Sequence, residues 1–418
     1  MDNDFSLLHT VLRGKADMLL GMASRRTLLE FAASLPWLGA FAQASKPKAR
    51  DHFAELGVRS FLNAAGTYTN LTASRMSDEV MAAINQAARH FVNLTQLHDA
   101  VGARLAKLLD CEAAMVTSGA AGALTVGTAA CLTGKNPERI RQLPDLRGLK
   151  TKAILQRSHR VGYDHAIRAC GVSLVEIESE ADFRRIAEDG DVAVAFFLNY
   201  AEPLGQMKRE AWVALGRQFG VPTLIDASAD VPPVENLRTY TKQGFDLVAF
   251  SGGKGICGPQ SSGLLLGRRD LVEAARLNTS PHADTIARGM KVNKEEMVGL
   301  LVAVENYLAR DHAAEAREWE KRIALIRKAA ERVPSVRSEV YTPEIANHTP
   351  HLRLTWDPER VKASPIEIRQ RLAAGEPSIE VTPETNAQQL VLTVWMLAPG
   401  EAEIVARRLG EELRRATS

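Results

Sequence analysis

Phe250-Ser251-Gly252-Gly253-Lys254-Gly255-Ile256-Cys257-Gly258-Pro259 is the stretch on which the reading of this chain turns. It continues the apolar run Asp246-Leu247-Val248-Ala249-Phe250, which has the length and composition of a buried strand. A lysine in a glycine-rich turn behind such a strand loses solvation and its pKa falls. Its amine then becomes a nucleophile able to form a Schiff base. Glycine on both sides lets the backbone approach a flat ligand and leaves the side chain free to swing. A surface lysine in a hairpin would read the same way in isolation, so the neighbouring segments decide.

Val221-Pro222-Thr223-Leu224-Ile225-Asp226 reads as a short buried strand ending in an acid, followed by Ala227-Ser228-Ala229-Asp230. An aspartate at the C-terminal end of a strand points into the crevice where open α/β sheets bind ligands. Asp230 reads instead as a helix cap or turn residue. Upstream, Ala113-Ala114-Met115-Val116-Thr117-Ser118-Gly119-Ala120-Ala121-Gly122 passes from apolar run to small-residue turn to helix. The free N–H groups at such a helix start hold phosphate, with hydroxyls available from Ser118 and Ser251. An aldehyde, a pyridine nitrogen and a phosphate answer these three features together, which makes pyridoxal 5'-phosphate (PLP) the expected cofactor.

With Phe61-Leu62-Asn63-Ala64-Ala65-Gly66-Thr67 added to these motifs, the chain resembles the fold-type-I PLP-dependent enzymes from about Leu56 onward. More narrowly, it is similar to the group containing bacterial selenocysteine synthase and D-glucosaminate-6-phosphate ammonia-lyase. The resemblance implies an α/β fold with a mainly parallel sheet in a large domain and a small α+β C-terminal domain. It also implies a homodimer or larger homo-oligomer. Carried onto this sequence, Lys254 is the Schiff-base lysine and Asp226 the partner of the pyridine nitrogen. Ser228 adjoins that partner in the cofactor site. Ser118, Gly119, Ala120 and Ser251 hold the phosphate, and His159 occupies the place of a ring-stacking residue, although a histidine following a strand can equally be a hydrogen-bonded structural residue. Ala229 stands where sulfur-liberating relatives often carry a polar residue, which speaks against desulfurase chemistry.

For the substrate, Arg353 in the strand-like Leu352-Arg353-Leu354 matches a carboxylate, and Arg75, Arg288 and Lys291 are further candidate anion contacts. The expected partner is a small amine-bearing acid. The chemistry expected is formation of a Cα carbanion followed by α,β-elimination of the ammonia-lyase type. Racemisation and transamination share that carbanion, and a non-catalytic binding protein on the same fold is the reading from another class.

Bulk properties agree with an enzyme of this size. The chain has 418 residues, 45% hydrophobic and 24% charged, enough for a large and a smaller domain. A net charge of +2 without a long basic run gives no footprint for nucleic acid. The cysteines Cys111, Cys131, Cys170 and Cys257 form no pair with metal-ligand spacing. Cys257 reads as a packing residue.

Ser24-Arg25-Arg26-Thr27-Leu28-Leu29 precedes a modest apolar stretch ending in Ala42-Gln43-Ala44, a pattern resembling a twin-arginine export signal. Glu30, Pro36 and the short length argue against a membrane span. The expected organisation is a signal over 1–44, an arm over 45–75, a cofactor-binding domain over 76–290, and a linking helix plus small domain over 291–418. The location that follows is the periplasm, the alternative being the cytoplasm. Within the large domain, strands are expected at 153–155, 174–177, 192–198, 223–225, 247–250 and 263–266, alternating with helices. One long helix is expected from near Lys294 towards Ala330.

Overall fold

Seven strands make the sheet that positions the site: β2 (Ala113–Ser118), β3 (Lys152–Gln156), β4 (Ser173–Ile177), β5 (Val192–Leu198), β6 (Thr223–Asp226), β7 (Leu247–Ser251) and β8 (Ser262–Gly267). They follow β1 (Phe61–Ala64), and β9 (Arg337–Tyr341), β10 (His351–Thr355), β11 (Ser378–Val381) and β12 (Leu390–Thr393) come after them. The computed structural model describes residues 50–417. The expected export signal therefore lies outside the described residues. Residues 50–60 belong to a separate unit, whose short helix His52–Glu55 is capped by the Asp51 carboxylate.

The large sheet has the order β2-β8-β7-β6-β5-β3-β4. Every neighbouring pair is parallel except the two that β8 makes, with β2 and with β7. β5 explains why this sheet is internal. All seven residues of Val-Ala-Val-Ala-Phe-Phe-Leu are buried, as expected of a parallel strand covered on both faces. Ala195 and Phe197 enter one hydrophobic core, while Val194, Phe196 and Leu198 enter the other. Helices close both faces. Among them, Gly119–Thr133 lies on the second core and Leu94–Leu109 on the first.

The six expected strands are all present, each within two residues of its predicted ends. Ser77 caps the helix Asp78–Ala88 through a bond from the Val80 N–H. Two expectations need correction. The segment 61–64, within the stretch expected to be an arm, is a strand, because β1 pairs in parallel with β11 and buries Ala64 in the C-terminal core. A turn follows directly, where Asn63 Oδ1 accepts from the N–H groups of Ala65 and Gly66.

The second correction concerns the long linking helix. It is two helices, Lys294–Ala309 and His312–Ala330, broken where Arg310 turns extended at φ −67° and ψ 149°. Asp311 caps the second helix through the Ala314 N–H, a stronger local signal than the helical periodicity that runs across it. Met297, Leu300 and Val304 of the first helix lie in the large-domain core. Ile323 and Ile326 of the second pack with the small antiparallel sheet β12-β10-β9. No described helix is long and apolar enough to cross a membrane.

Candidate active site

The C-terminal ends of β2, β5, β6 and β7 meet at one edge of the large sheet. Register puts Ser118 opposite Ser262 and Ser251 opposite Gly263, so β8 separates the two serines. Two inter-strand spacings set their backbones roughly 10 Å apart. On the next strand Asp226 lies opposite Ala249. The residues read from sequence as phosphate, lysine and pyridine contacts are thereby gathered along the crevice edge of one sheet.

At the β2 end, Ser118 is the N-cap of Gly119–Thr133, yet its side chain makes no capping bond. The first turn of this helix carries no acid, and Gly119 turns into it at φ +67°. Residues 118–120 are half-buried. Open N–H groups, an uncommitted hydroxyl and a positive helix end together suit a dianion.

The lysine turn is tightly built. A Cβ on Gly252 would lie 2.3 Å from Ser262 Oγ, one on Gly253 2.5 Å from Gln260 Cα, and one on Gly255 2.1 Å from the Val231 carbonyl oxygen. Neighbouring protein atoms alone therefore require glycine at these three positions. Burial lowers the pKa of Lys254, and the nearby carboxylates of Asp226 and Asp230 partly oppose the shift. Asp226 is buried, and its Oδ1 accepts from the Ser228 N–H at 2.9 Å. Ser228 thus orients the aspartate through its backbone. Cys257 is half-buried and points its thiol at the Gly255 carbonyl.

His159 does not offer a ring face to a cofactor. Its imidazole is fully buried, accepts at Nδ1 from the Leu198 N–H at 3.1 Å, and meets Phe197 edge-on at 4.5 Å. Burial pushes its pKa down to about 4, helped by the Lys208 charge. The residue holds the end of β5 rather than stacking.

The candidate anion contacts separate into two kinds. Arg75 pairs with Glu401 at 3.3 Å and donates to the Met396 carbonyl, while Arg353 pairs with Glu339 at 2.6 Å and lies 4.5 Å over the Tyr341 ring. Protein groups therefore occupy part of both guanidiniums. Arg288 and Lys291 are exposed on the segment between the helices Arg269–Leu277 and Lys294–Ala309.

Sequence reasoning missed Asn199 and Tyr240. Asn199 Nδ2 donates to Asp230 Oδ2 at 2.8 Å, and the Tyr240 hydroxyl donates to the same oxygen at 3.2 Å. Asp230 is not a cap but a buried acid whose pKa burial pushes up to about 7. Its spacing of four from Asp226 was the one available signal. Nothing in the sequence marks Asn199.

Residues 198–346 match the family model described as SelA: L-seryl-tRNA selenium transferase. The chain is 31% identical over 374 residues to a 5'-C-glycyluridine monooxygenase-decarboxylase from Streptomyces sp, covering 86% of this chain and 92% of that protein. The chain belongs to the selenocysteine synthase and ammonia-lyase-like group of PLP-dependent enzymes. It is also 26% identical to the D-glucosaminate-6-phosphate ammonia lyase of Salmonella typhimurium (strain 14028s / SGSC 2262), covering 86% of this chain and 97% of that one. A solved D-glucosaminate-6-phosphate ammonia-lyase superposes with a TM-score of 0.75 at 24% identity, over 88% of this chain and 100% of the other, which shows the fold-type-I architecture. The protein is an enzyme and its cofactor is PLP.

The residues present fit that cofactor. A buried amine of lowered pKa, a buried carboxylate beside it and an uncapped helix start with a free hydroxyl lie along one sheet edge.

Proposed function

We propose that this enzyme removes the Cα proton of a small amine-bearing acid that carries a hydroxyl at Cβ and completes an α,β-elimination, in which the hydroxyl leaves as water and the released enamine hydrolyses to ammonia and a 2-oxo acid. The observation that carries this reading is Lys254, whose burial favours the neutral, proton-accepting amine next to two acids. PLP, when bound, supplies an electron sink for the charge left at Cα. The chain supplies the rest. Asp226 would hold the pyridine nitrogen, and Ser118, Gly119, Ala120 and Ser251 would hold the phosphate. Lys254 Nζ would hold the cofactor aldehyde at rest and accept the Cα proton during turnover. Arg288 and Lys291, exposed and cationic, remain proposed contacts for the acid group of the substrate.

Similarity to the monooxygenase-decarboxylase favours a second reading, loss of the substrate carboxylate in a reaction that consumes oxygen. The two readings differ in their small products. Amino acids and amino-sugar acids incubated anaerobically should yield ammonia and a 2-oxo acid under the first. Oxygen uptake with carbon dioxide release, and no anaerobic ammonia, would replace it by the second. The working form proposed is a homodimer or larger homo-oligomer.

A further inference from the structure

The small antiparallel sheet β12-β10-β9 has two unlike faces. Leu352 and Leu354 of β10, with Leu390 and Leu392 of β12, enter the C-terminal core. Strand alternation turns His351 and Arg353 to the opposite face, where register sets His351 between Tyr341 and Thr393. His351 is 7% exposed, and its ring lies 5.2 Å from that of Tyr341, tilted by 31°. Beside it, Thr393 Oγ1 is buried and has no hydrogen-bond partner among the described residues.

A relay of hydrogen bonds ties this face to the cofactor crevice. The Asn347 N–H donates to the carbonyl of Ala229, which stands between Asp226 and Asp230 in the chain, at 2.8 Å. The Asn347 carbonyl accepts from the Thr349 N–H at 2.6 Å, and the Thr349 carbonyl accepts from His351 Nδ1 at 2.8 Å. The linking segment is held in a costly conformation, since Ala346 at φ 58° and Asn347 at φ 44° are consecutive non-glycine residues in the left-handed region. Such strain concentrates where a site needs fixed geometry. Gly66 approaches the same face so closely that a Cβ on it would lie 3.8 Å from Thr393 Oγ1. The chain leaving Gly66 then reaches the lysine turn, where the Thr69 carbonyl accepts from Gln260 and Ser74 donates to Gly253.

The bond at Nδ1 fixes the tautomer of His351. A carbonyl only accepts, so Nδ1 carries the proton and the neutral ring presents a bare Nε2. Burial keeps the ring below its ordinary pKa, opposed by the Thr349 bond and the Glu384 charge. Among the described residues none bonds to Nε2. Such a nitrogen has no proton to deliver. It distinguishes instead a group that donates, such as a hydroxyl, from one that does not.

We propose that His351 is a specificity-determining residue whose Nε2 accepts a hydrogen bond from a side-chain hydroxyl of the bound substrate. The inference rests on the function proposed above and names the residue that reads the hydroxyl.

Two measurements on the full chain test it. In nitrogen NMR of histidine-labelled protein in mildly basic solution, His351, assigned by its absence from His351→Phe, should show a protonated Nδ1 and a bare Nε2. A protonated Nε2 overturns the proposal. With PLP bound, the visible cofactor band is titrated with serine against alanine and with homoserine against 2-aminobutyrate, pairs that differ by one hydroxyl. In at least one pair the hydroxylated acid should half-saturate at about tenfold lower concentration, the effect of one good hydrogen bond. His351→Phe, which keeps a ring beside Tyr341, should lose that advantage and respond unchanged to the acid without the hydroxyl. No advantage in either pair, or one that survives in the variant, overturns the proposal. Should the variant fail to fold, the natural protein still decides: the Nε2 resonance should move on adding the favoured hydroxylated acid and not with its partner, and an unmoved resonance counts against the contact. A natural protein whose band answers none of these acids refutes the proposed function, and the inference falls with it.

Discussion

Ser74 donates its hydroxyl to the carbonyl of Gly253 at 2.6 Å, joining the segment before the helix Asp78–Ala88 to the residue that precedes the lysine. Gln260, on the far side of the same turn, donates to the Thr69 carbonyl. The lysine turn is therefore held from outside by a stretch remote in sequence. Ser74→Ala should cost about 1 kcal/mol in urea unfolding, the value of one such hydrogen bond. It should also weaken PLP retention, read as faster loss of the visible band on dialysis.

Lys254→Ala should remove covalent attachment of the cofactor, so that borohydride adds no cofactor mass to the chain. Turnover should fall by roughly 10²–10⁴-fold, the contribution of a positioned acid–base group. Asp226→Asn should keep the attachment and still lose on the order of 10²–10³-fold in kcat, because one preorganised charge is gone. Mass spectrometry after reduction separates the two variants.

Gly255→Ala places a methyl group 2.1 Å from the Val231 carbonyl oxygen, and both sides of that contact are backbone. Relief requires the lysine turn or the Asp230 segment to shift. An overpacked site of this kind costs about 1–3 kcal/mol. A lowered urea midpoint, with cofactor binding impaired beyond what stability explains, is the expected outcome.

His98 and His159 make stability depend on pH. Burial lowers both from the ordinary 6.5 to about 4, with nearby positive charges (Arg276 for His98, Lys208 for His159) adding to the shift. Above pH 6.5 both are neutral in the folded and the unfolded chain. As pH falls below 6.5 the unfolded chain binds protons that the folded chain refuses until about 4, so stability drops across that window. His98→Gln, which retains a donor for the Val116 carbonyl, should show a shallower loss in urea titrations between those pH values.

The export proposal has its own measurement. A chain carried out through the twin-arginine route should be recovered from the periplasm with a mature N-terminus near Ser45, and Arg25→Lys with Arg26→Lys should retain it in the cytoplasm. An uncleaved cytoplasmic chain would refute it.

The parts of the site legible in sequence were those written in consecutive residues. Strand β7 with its lysine turn, strand β6 with its terminal Asp226, and the small-residue start of Gly119–Thr133 each follow from a local pattern. The readings that failed depended on what lies across space. A histidine behind a strand looks the same whether it faces a crevice or the interior; packing against Phe197 and the Leu198 N–H settled His159. What stands beside Arg75 and Arg353 was likewise beyond any local pattern, since Glu401 and Glu339 come from other segments. The break at Arg310 interrupts an otherwise continuous helical periodicity, and an aspartate cap competes with it.

Sequence by itself determined the order of the strands along the chain and, through the lysine turn and the strand-end aspartate, the cofactor. Hydrophobic period, turn composition and residue chemistry are local properties. Only the tertiary structure decided that Asp230 is buried, that Asn199 and Tyr240 hold it, and that neighbouring protein atoms crowd the glycines of the lysine turn. Those relations arise when segments far apart in sequence are buried together, where desolvation and unscreened charge give neighbours their effect.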